Sequence, residues 1–412
     1  VNTPTGSHRK VTIVGAGFSG LVSAYYLNRA GYNVEIFEKS SRVGGLIATR
    51  QARHGLVETA ANAILNSVLV EELFQTLNIP LEGASADARK RFIFRNGRAR
   101  RWPVGIGSTV RLLWFALRFA VARSSVEPKP GESIETWGHR VLGDEACRYL
   151  LSTALQGIYA GETSRISARL IVGRMFERNR NKRQAPRIKG SVAPREGMGQ
   201  LIEALSKHLQ SRGVQIHLNA DVSPSSLPSS SNPVIIATSP SAASIYVHPE
   251  KADLLKQIEM RAVSTTTAFF NRTHERSRGF GVLFPPGEAK FLGVLKNSFI
   301  FSNRGGPHSE TWIRAGTAPE GQILFDLLEE RRRVFGIEEN ELEAVVTNWP
   351  EAIPHYTLEL ERLIPQLNTE TDNLFLMGNY LGDLGLGKIL ERASKWPDRL
   401  AREGKWNEGK QK

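Results

Sequence analysis

The sequence predicts an α/β fold: a parallel sheet assembled from separated stretches of chain, joined to a mixed α+β region and a helical region. Three observations predict it. A β-branched run, Val11–Val14, empties into Gly15-Ala16-Gly17-Phe18-Ser19-Gly20 and then into an apolar-periodic stretch, Leu21–Arg29. A second short apolar run, Pro233–Thr238, lies far along the chain. A third, Asn373–Met377, ends in another glycine-rich turn, Gly378-Asn379 and then Gly382–Gly387. Strands so widely spaced place one sheet in a discontinuous domain. Its expected pieces are residues 1–88, 190–240 and 340–412. Residues 241–339, with 89–102, are expected to form the mixed α+β domain, and 103–189 the helical one.

The opening stretch carries the most chemistry. Gly15 permits a tight turn, Gly17 lets backbone approach a pyrophosphate, and Gly20 allows close helix–strand packing. Gly31 stops the helix, Asn33–Phe37 forms the next strand, and Glu38 follows 18 residues after Gly20. Strand, glycine turn, helix, strand and acid in that order make the dinucleotide fingerprint. The pyrophosphate is expected on the helix N-terminus, beside Phe18 and Ser19. Glu38 is read as the acceptor for both ribose hydroxyls of an adenosine, the alternative being an ordinary surface acid.

After Glu38 the chain reads Lys39-Ser40-Ser41-Arg42-Val43-Gly44-Gly45-Leu46. An arginine two residues before a glycine pair resembles the second flavin motif of the flavin amine oxidase superfamily. The resemblance implies Arg42 at the pyrophosphate and Gly44 and Gly45 beside a flavin. The parallel sheet is therefore expected to be a Rossmann-type FAD-binding domain.

Composition bounds the rest. At 412 residues the chain is expected to hold two or three domains. A net charge of +13 and a pI near 9.9 point to an acidic partner: anionic lipid, an acidic substrate or nucleic acid. Nucleic acid is not expected, because no helix-turn-helix, zinc or RNA-binding signature is present. No His/Cys/Asp cluster has metal-ligand spacing, and neither a Walker loop nor a nucleophile elbow occurs. The single cysteine, Cys147, excludes an internal disulfide framework and reads as a small core residue. With no apolar run of spanning length and a first strand by Lys10, the expected location is cytoplasmic, or peripheral on the cytoplasmic face of a membrane.

In chain order, His54–Asn62 reads as a strand returning beside the cofactor, and Asn66–Leu77 as a helix. Arg91–Arg95 then Asn96-Gly97 predicts a hairpin, since Asn-Gly accepts the two positive φ values of a type I′ turn. From Ala88 to Val126 there are ten Lys/Arg and no Asp or Glu. Within it, residues 109–123 hold Leu112-Leu113-Trp114-Phe115-Ala116-Leu117 between arginines. Two readings stay open here: an interfacial membrane helix or a core helix with snorkelling arginines. Glu127–Gly131 is a linker, Ser133–Val141 and Asp144–Ala154 are helical, and the basic stretch Arg174–Lys189 is a solvated face or loop. Gly199–Arg212 is helical before a strand at Val214–Leu218, and Ser223–Pro233 is a surface loop. Ala262–Phe270, Gly279–Phe284 and Phe291–Phe301 predict an antiparallel sheet, followed by a helix near Gly321–Phe335.

These motifs together resemble the oxygen-dependent protoporphyrinogen oxidase family over nearly the whole chain. Beyond the two flavin motifs the match includes the Arg91 hairpin, Gly157-Ile158-Tyr159-Ala160-Gly161 and Gly279–Pro285 with Leu292–Leu295. It continues with Trp349–Tyr356 and Gly378-Asn379-Tyr380. The resemblance implies stepwise oxidation of a porphyrinogen to a porphyrin by hydride transfer to FAD, with dioxygen as acceptor and hydrogen peroxide as product. It implies substrate contacts at Arg91, on a propionate, and at Asn62, between flavin and substrate, the alternatives being one more charge of the basic stretch and a plain turn residue. Phe301 is read either as stacking on the macrocycle or as a core aromatic. No catalytic acid or base is assigned, because the flavin carries the hard step. The implied cofactor set adds Ala60, Ala61, Val222, Trp349, Gly378, Asn379, Asp383, Leu384 and Leu386 to the residues above. Membrane contact is implied for the helical region, and a homodimer is among the expected arrangements.

The chain departs from the family pattern at four places. Ala60-Ala61 stands where Gly-Pro is usual, Gly382-Asp383 replaces paired glycines, Glu196-Gly197-Met198 replaces Gly-Gly-Met, and the helical region is shorter. Asp383 is expected to point to solvent. Two further readings are carried alongside the leading one: a related FAD amine oxidase or desaturase, and a flavin-binding paralogue without turnover.

Overall fold

A computed structural model describes residues 10–177, 185–227, 232–272, 278–306, 308–369 and 373–402. Among these, strands β1 to β17, in chain order, form four sheets. β1 (Lys10–Val14) is buried at all but its first residue. It pairs in parallel with β2 (Asn33–Phe37) and β11 (Val234–Ile236). β10 (Gln215–His217) and β17 (Leu374–Leu376) form the edges, also in parallel, giving the order β10-β2-β1-β11-β17. All five carboxyl ends therefore share one edge. The strand order turns back between β1 and β11, the place where open α/β sheets bind ligands.

Helices cover this sheet because their apolar stripes have nowhere else to go. The first helix, Phe18–Arg29, buries Leu21, Val22, Ala24, Tyr25 and Leu27. Met198–Ser211 packs beside it, and the last helix, Leu386–Ala393, lies against it too. Trp396, just beyond, donates its indole N–H to Ser23 Oγ of the first helix at 3.0 Å.

The second sheet has seven strands in the order β16-β12-β15-β14-β13-β7-β8. They are β7 (Arg91–Arg95), β8 (Arg98–Arg100), β12 (Met260–Phe270), β13 (Gly281–Leu283), β14 (Gly293–Leu295), β15 (His308–Ala315) and β16 (Glu343–Pro354). The expected antiparallel sheet is mixed, because the hairpin β7–β8 enters beside β13 in parallel. Asn96 and Gly97 take φ +53 and +73, the hairpin geometry their sequence demands. Of the predicted stretch Phe291–Phe301 only β14 is extended. Asn297–Ile300 is helical, with Asn297 Nδ2 donating to Thr311 Oγ1 at 2.8 Å. β16 lies in the piece expected to belong with the flavin domain, yet it is hydrogen-bonded to β12 in this sheet. Its Pro350 and Pro354 are tolerated because it is an edge strand.

Alternation gives the sheet two faces. On one, Phe94, Ala268, Phe270, Val282, Val294 and Trp312 pack under the helix Glu320–Phe335. The other turns toward the five-stranded sheet and the helical region. Two small sheets complete the pairing: β3 (Thr49–Gln51) with β4 (Leu56–Glu58), and β5 (Ile64–Leu65) with β9 (Ser191–Pro194) and β6 (Leu81–Gly83). The strand read over His54–Asn62 is thus only β4.

The helical region holds Ile134–Val141 and a run from Asp144 to Tyr159 with a π segment at Cys147–Ser152. Cys147 is fully buried. The helix Ile106–Val121 has no buried residue, so the core-helix reading of 109–123 does not hold. Only Leu112, Phe115 and Phe119 pack partly against the body. Among the described residues no helix is long and apolar enough to cross a membrane. Much of the basic stretch Arg174–Lys189 and part of the loop Ser223–Pro233 lie outside the described residues.

Candidate FAD and substrate site

The glycine turn after β1 is shaped as its sequence requires. Gly15 takes φ +101, a backbone conformation L side chains rarely adopt. A Cβ on Gly20 would run into the Gly15 carbonyl oxygen, which explains the third glycine. Gly17 caps the first helix with φ −66, and the nearest atom to a Cβ there would be Gly45 Cα at 4.0 Å. Beside it Gly44 N–H donates to the Ala16 carbonyl at 2.8 Å, seating the Gly44–Gly45 turn against Gly17. An open strip of glycine backbone therefore faces the helix end, where the first N–H groups have no intrahelical acceptor. The first turn carries no acidic side chain to fill it.

Glu38 follows the end of β2, where an adenosine would lie on a dinucleotide fold. Its Oε2 accepts from Ala16 N–H at 2.8 Å and its Oε1 from Ser40 N–H at 2.9 Å, and it is 8% exposed. Each oxygen keeps a lone pair for a ribose hydroxyl. Lys39 is exposed next to it. Arg42 folds back on its own loop, donating to the carbonyls of Val43, Gly45 and Ile47. That ties the loop down and leaves the guanidinium exposed at its rim. Leu46 is gripped through its carbonyl, which accepts from Thr59 Oγ1 at 2.7 Å. Val222, beyond β10, is anchored by Tyr246, whose hydroxyl donates to its carbonyl at 2.7 Å.

The strip after β4 is held by two residues, Trp349 of β16 and Arg304 of the loop before β15. Trp349 Nε1 donates to the Thr59 carbonyl at 2.7 Å, fixing the chain just before Ala60-Ala61. Arg304 Nη1 pairs with Glu58 Oε1, both almost fully buried. Arg304 Nη2 also reaches the Asn62 carbonyl at 3.4 Å, and its guanidinium lies 5.0 Å from the Phe301 ring centre. Asn62 and Phe301 are thus brought together, with Arg304 between them, but Phe301 is 5% exposed and packs within the core beside Ile300, as the core-aromatic alternative has it. Glu58 accepts in addition from Thr49 Oγ1 at 2.7 Å and Met198 N–H at 2.9 Å. Burial pushes its carboxyl upward against the pull of Arg304 and these donors.

Arg304 was not selected by any motif. A signal was present: Arg304 precedes Gly305-Gly306, and a Cβ on Gly305 would collide with Gly55. That close crossing delivers Arg304 to Glu58.

Arg91 is not brought to this cluster. It lies exposed on β7, its guanidinium 4.7 Å from the Phe280 ring centre. β7 is five strands from β16, about 24 Å at ~4.8 Å per strand. Arg91 and Trp349 share the same sheet face through the register Arg91–Gly281–Leu295–Thr311–Thr267–Val345. The wall between them carries Gly281, Gly293, Leu283, Leu295 and Ile313, with Thr265, Thr267 and Thr311 toward β16.

At the third glycine turn the structure corrects one expectation. Asp383 does not point to solvent; it is 5% exposed and its carboxylate bridges Arg174 and Arg392. Nearby, Tyr356 donates its hydroxyl to the Asn379 carbonyl. Gly378 is buried, while Leu384 and Leu386 are half-buried along the turn that leads into the last helix.

The residues present fit FAD. The open glycine strip and helix end suit a pyrophosphate, Glu38 a ribose, and the Thr59–Asn62 strip with the Gly378–Leu386 turn an isoalloxazine. Comparison with known proteins agrees. Residues 18–224 and 229–393 match the model of the family described as flavin containing amine oxidoreductase. Protoporphyrinogen oxidase of Homo sapiens is 24% identical, covering 85% of this chain and 88% of its own. Protoporphyrinogen oxidase 2, chloroplastic/mitochondrial, of Arabidopsis thaliana is 24% identical over 95% of this chain and 94% of its own. The crystal structure of an Exiguobacterium sp. protein, named as a candidate protoporphyrinogen oxidase, superimposes with a TM-score of 0.75 at 17% identity. That match covers 96% of this chain and 99% of the other. The chain is an FAD-dependent oxidoreductase and belongs to the flavin-containing amine oxidoreductase family.

Proposed function

We propose that the protein oxidises a porphyrinogen to a porphyrin, with dioxygen as electron acceptor. The observation that carries this reading is the reach of the alignment. Relatives named as protoporphyrinogen oxidases align over 85% and 95% of the chain, second sheet and helical region included. The shape of the wall supports it: a long, partly apolar face with Trp349 at one end and the exposed Arg91 at the other suits a broad macrocycle bearing carboxylates.

Bound FAD supplies the two-electron acceptor, and dioxygen carries the electrons on to hydrogen peroxide. The chain's own residues bind and orient. Arg91 takes a carboxylate of the substrate, a charge-assisted contact worth ~1.5–3 kcal/mol. Arg304 and Trp349 hold the Glu58–Asn62 strip in place, so the macrocycle meets a fixed surface. Leu283, Leu295 and Ile313 of the wall keep water from its apolar face.

The helix Ile106–Val121 is the proposed contact with an anionic membrane surface, and a peripheral position on the cytoplasmic face is part of the same proposal. Ile106, Val110, Leu113, Trp114, Leu117 and Val121 are all more than half exposed. Arg111 donates to the carbonyls of His139 and Arg140, and Arg118 to Ser125, so charge is held along the flanks of this apolar face.

The test is direct. Flavin-loaded protein is mixed with protoporphyrinogen or coproporphyrinogen under air, and porphyrin fluorescence and peroxide are followed together. Both should rise with one of the two substrates. Peroxide from an amine, with no porphyrin from either porphyrinogen, would replace this reading with that of an amine oxidase.

A further inference from the structure

The turn that leads from β17 to the last helix has few side chains with which to hold its shape. Gly382, Gly385 and Gly387 take three of the six positions from 382 to 387. Gly382 adopts φ +96, and nothing lies within 4 Å of where a Cβ on Gly385 would sit. Glycine-rich backbone loses the most freedom on ordering. Asp383 is the only charged residue of these six. Its Oδ1 accepts from Arg174 Nη2 at 2.8 Å and its Oδ2 from Arg392 Nε at 2.6 Å.

The two arginines come from different parts of the molecule. Arg392 belongs to the last helix. It also donates to the Leu381 carbonyl at 2.8 Å and to Asn368 Oδ1 at 3.2 Å, so it spans the turn from within the flavin domain. Arg174 belongs to the helical region, in the short 3₁₀ segment Gly173–Met175. Phe176, two residues on, packs edge-on against Phe119 of the helix Ile106–Val121 with ring centres 5.2 Å apart. Asp383 is therefore where the helical region grips the turn.

We propose that Asp383 is a positioning residue for the isoalloxazine end of FAD, and that Arg174 makes this positioning depend on the seating of the helical region. The proposal rests on the placement of the flavin ring beside the Gly378–Leu386 turn. Arg392 fixes Asp383 Oδ2 and the Leu381 carbonyl from the flavin-domain side of the turn. Arg174 on Oδ1 holds the same carboxylate from the helical region, and charged hydrogen bonds of this kind are strong enough to order a short turn. Physical coupling between the helical region and the flavin then runs through packed rings and one ion pair, a contiguous network.

The experiment uses the full flavin-loaded protein and three variants. Arg174→Met keeps the aliphatic stem and drops the charge, Arg174→Lys restores a charge, and Arg165→Met breaks a different ion pair of the helical region, that with Glu259 at 2.6 Å. FAD dissociation is measured by flavin fluorescence, and the ring environment by visible circular dichroism. Arg174→Met is expected to raise the FAD dissociation constant roughly three- to tenfold and to alter the visible dichroism, with Arg174→Lys returning toward wild type. Arg165→Met should change neither. Wild-type values in Arg174→Met, or equal changes in Arg165→Met, overturn the proposal. A wild-type protein that takes up no flavin overturns it together with the placement it rests on, whereas flavin bound indifferently to Arg174 overturns this proposal alone.

Discussion

Gly17 and Gly20 are three residues apart and serve different masters. Gly20 is required by the protein itself, because a methyl group there meets the Gly15 carbonyl. Gly17 has free space around it and ordinary φ, so its side is kept open for the cofactor. Gly20→Ala should lower the melting temperature of flavin-free protein, whereas Gly17→Ala should leave that temperature unchanged and weaken FAD binding at least tenfold. Thermal melts and a flavin titration on both variants check this. Loss of stability in Gly17→Ala would contradict the assignment of that space. A second residue-scale prediction concerns Glu310, which is fully buried with Lys296, His308 and Arg331 around it. Burial alone would raise its carboxyl, but these three cationic or donor groups hold it well below its ordinary 4.5. A folded value below the unfolded one means that stability is gained above 4.5 and lost as the pH falls further. Glu310→Gln should cost about 3–5 kcal/mol at neutral pH, by stranding the buried Lys296 while Arg331 keeps Glu339, and should flatten the acid limb of the stability curve. Denaturant melts between acid and neutral pH measure both. Legibility at this scale followed sequence distance. Glu38 and the first glycines announce themselves within one motif, but Arg304 meets a partner 246 positions away, which no local pattern encodes.

At the scale of elements, the helix Ile106–Val121 is the one whose surroundings its sequence left undecided. Apolar residues at 106, 110, 113, 114, 117 and 121 recur at helical spacing on one side, and that side is exposed. A face this apolar is unusual on a protein surface and marks a contact. Replacing Leu113 and Leu117 together by serine should reduce co-sedimentation with anionic vesicles at least tenfold, since each buried leucine contributes about 2 kcal/mol. The thermal stability should stay put, because neither side chain packs on the body. Unchanged co-sedimentation would remove the membrane from the proposed function. The strands show why sequence reading stops where it does. β1 and β17 were readable because each is apolar and ends in a glycine turn. β16 was not, because its prolines and charges are those of an edge strand, and edges carry no clean alternation. The parallel pairing of β7 with β13 was equally hidden, since it joins pieces on either side of the whole helical region.

Across the whole molecule, the small sheet β3–β4 and the strip after it meet the seven-stranded sheet and the loop before β15 along one seam. Trp349 with Thr59, Arg304 with Glu58, and the close crossing of Gly55 and Gly305 all lie on it. The expected division of the chain into a discontinuous nucleotide part, a mixed part and a helical part followed from where the glycine turns fall. The seam itself was not readable, because it is made of contacts between those parts. In the proposed function the charge of +13 would have a use at this scale as well: Arg91 at the end of the wall and the arginines beside the exposed helix would both face anionic groups.

The five-stranded sheet is completed by its last-made strand. On the ribosome, Gly15 and Glu38 emerge early, yet β17 and the Leu386–Ala393 helix that braces the first helix arrive only near residue 393. A nascent chain halted before residue 373 has its opening cradle but no opposing wall, and Ser23 still awaits Trp396. A chain truncated before residue 373 is therefore expected to be colourless, with β11 left as a raw sheet edge, and the visible spectrum of the truncated protein checks this.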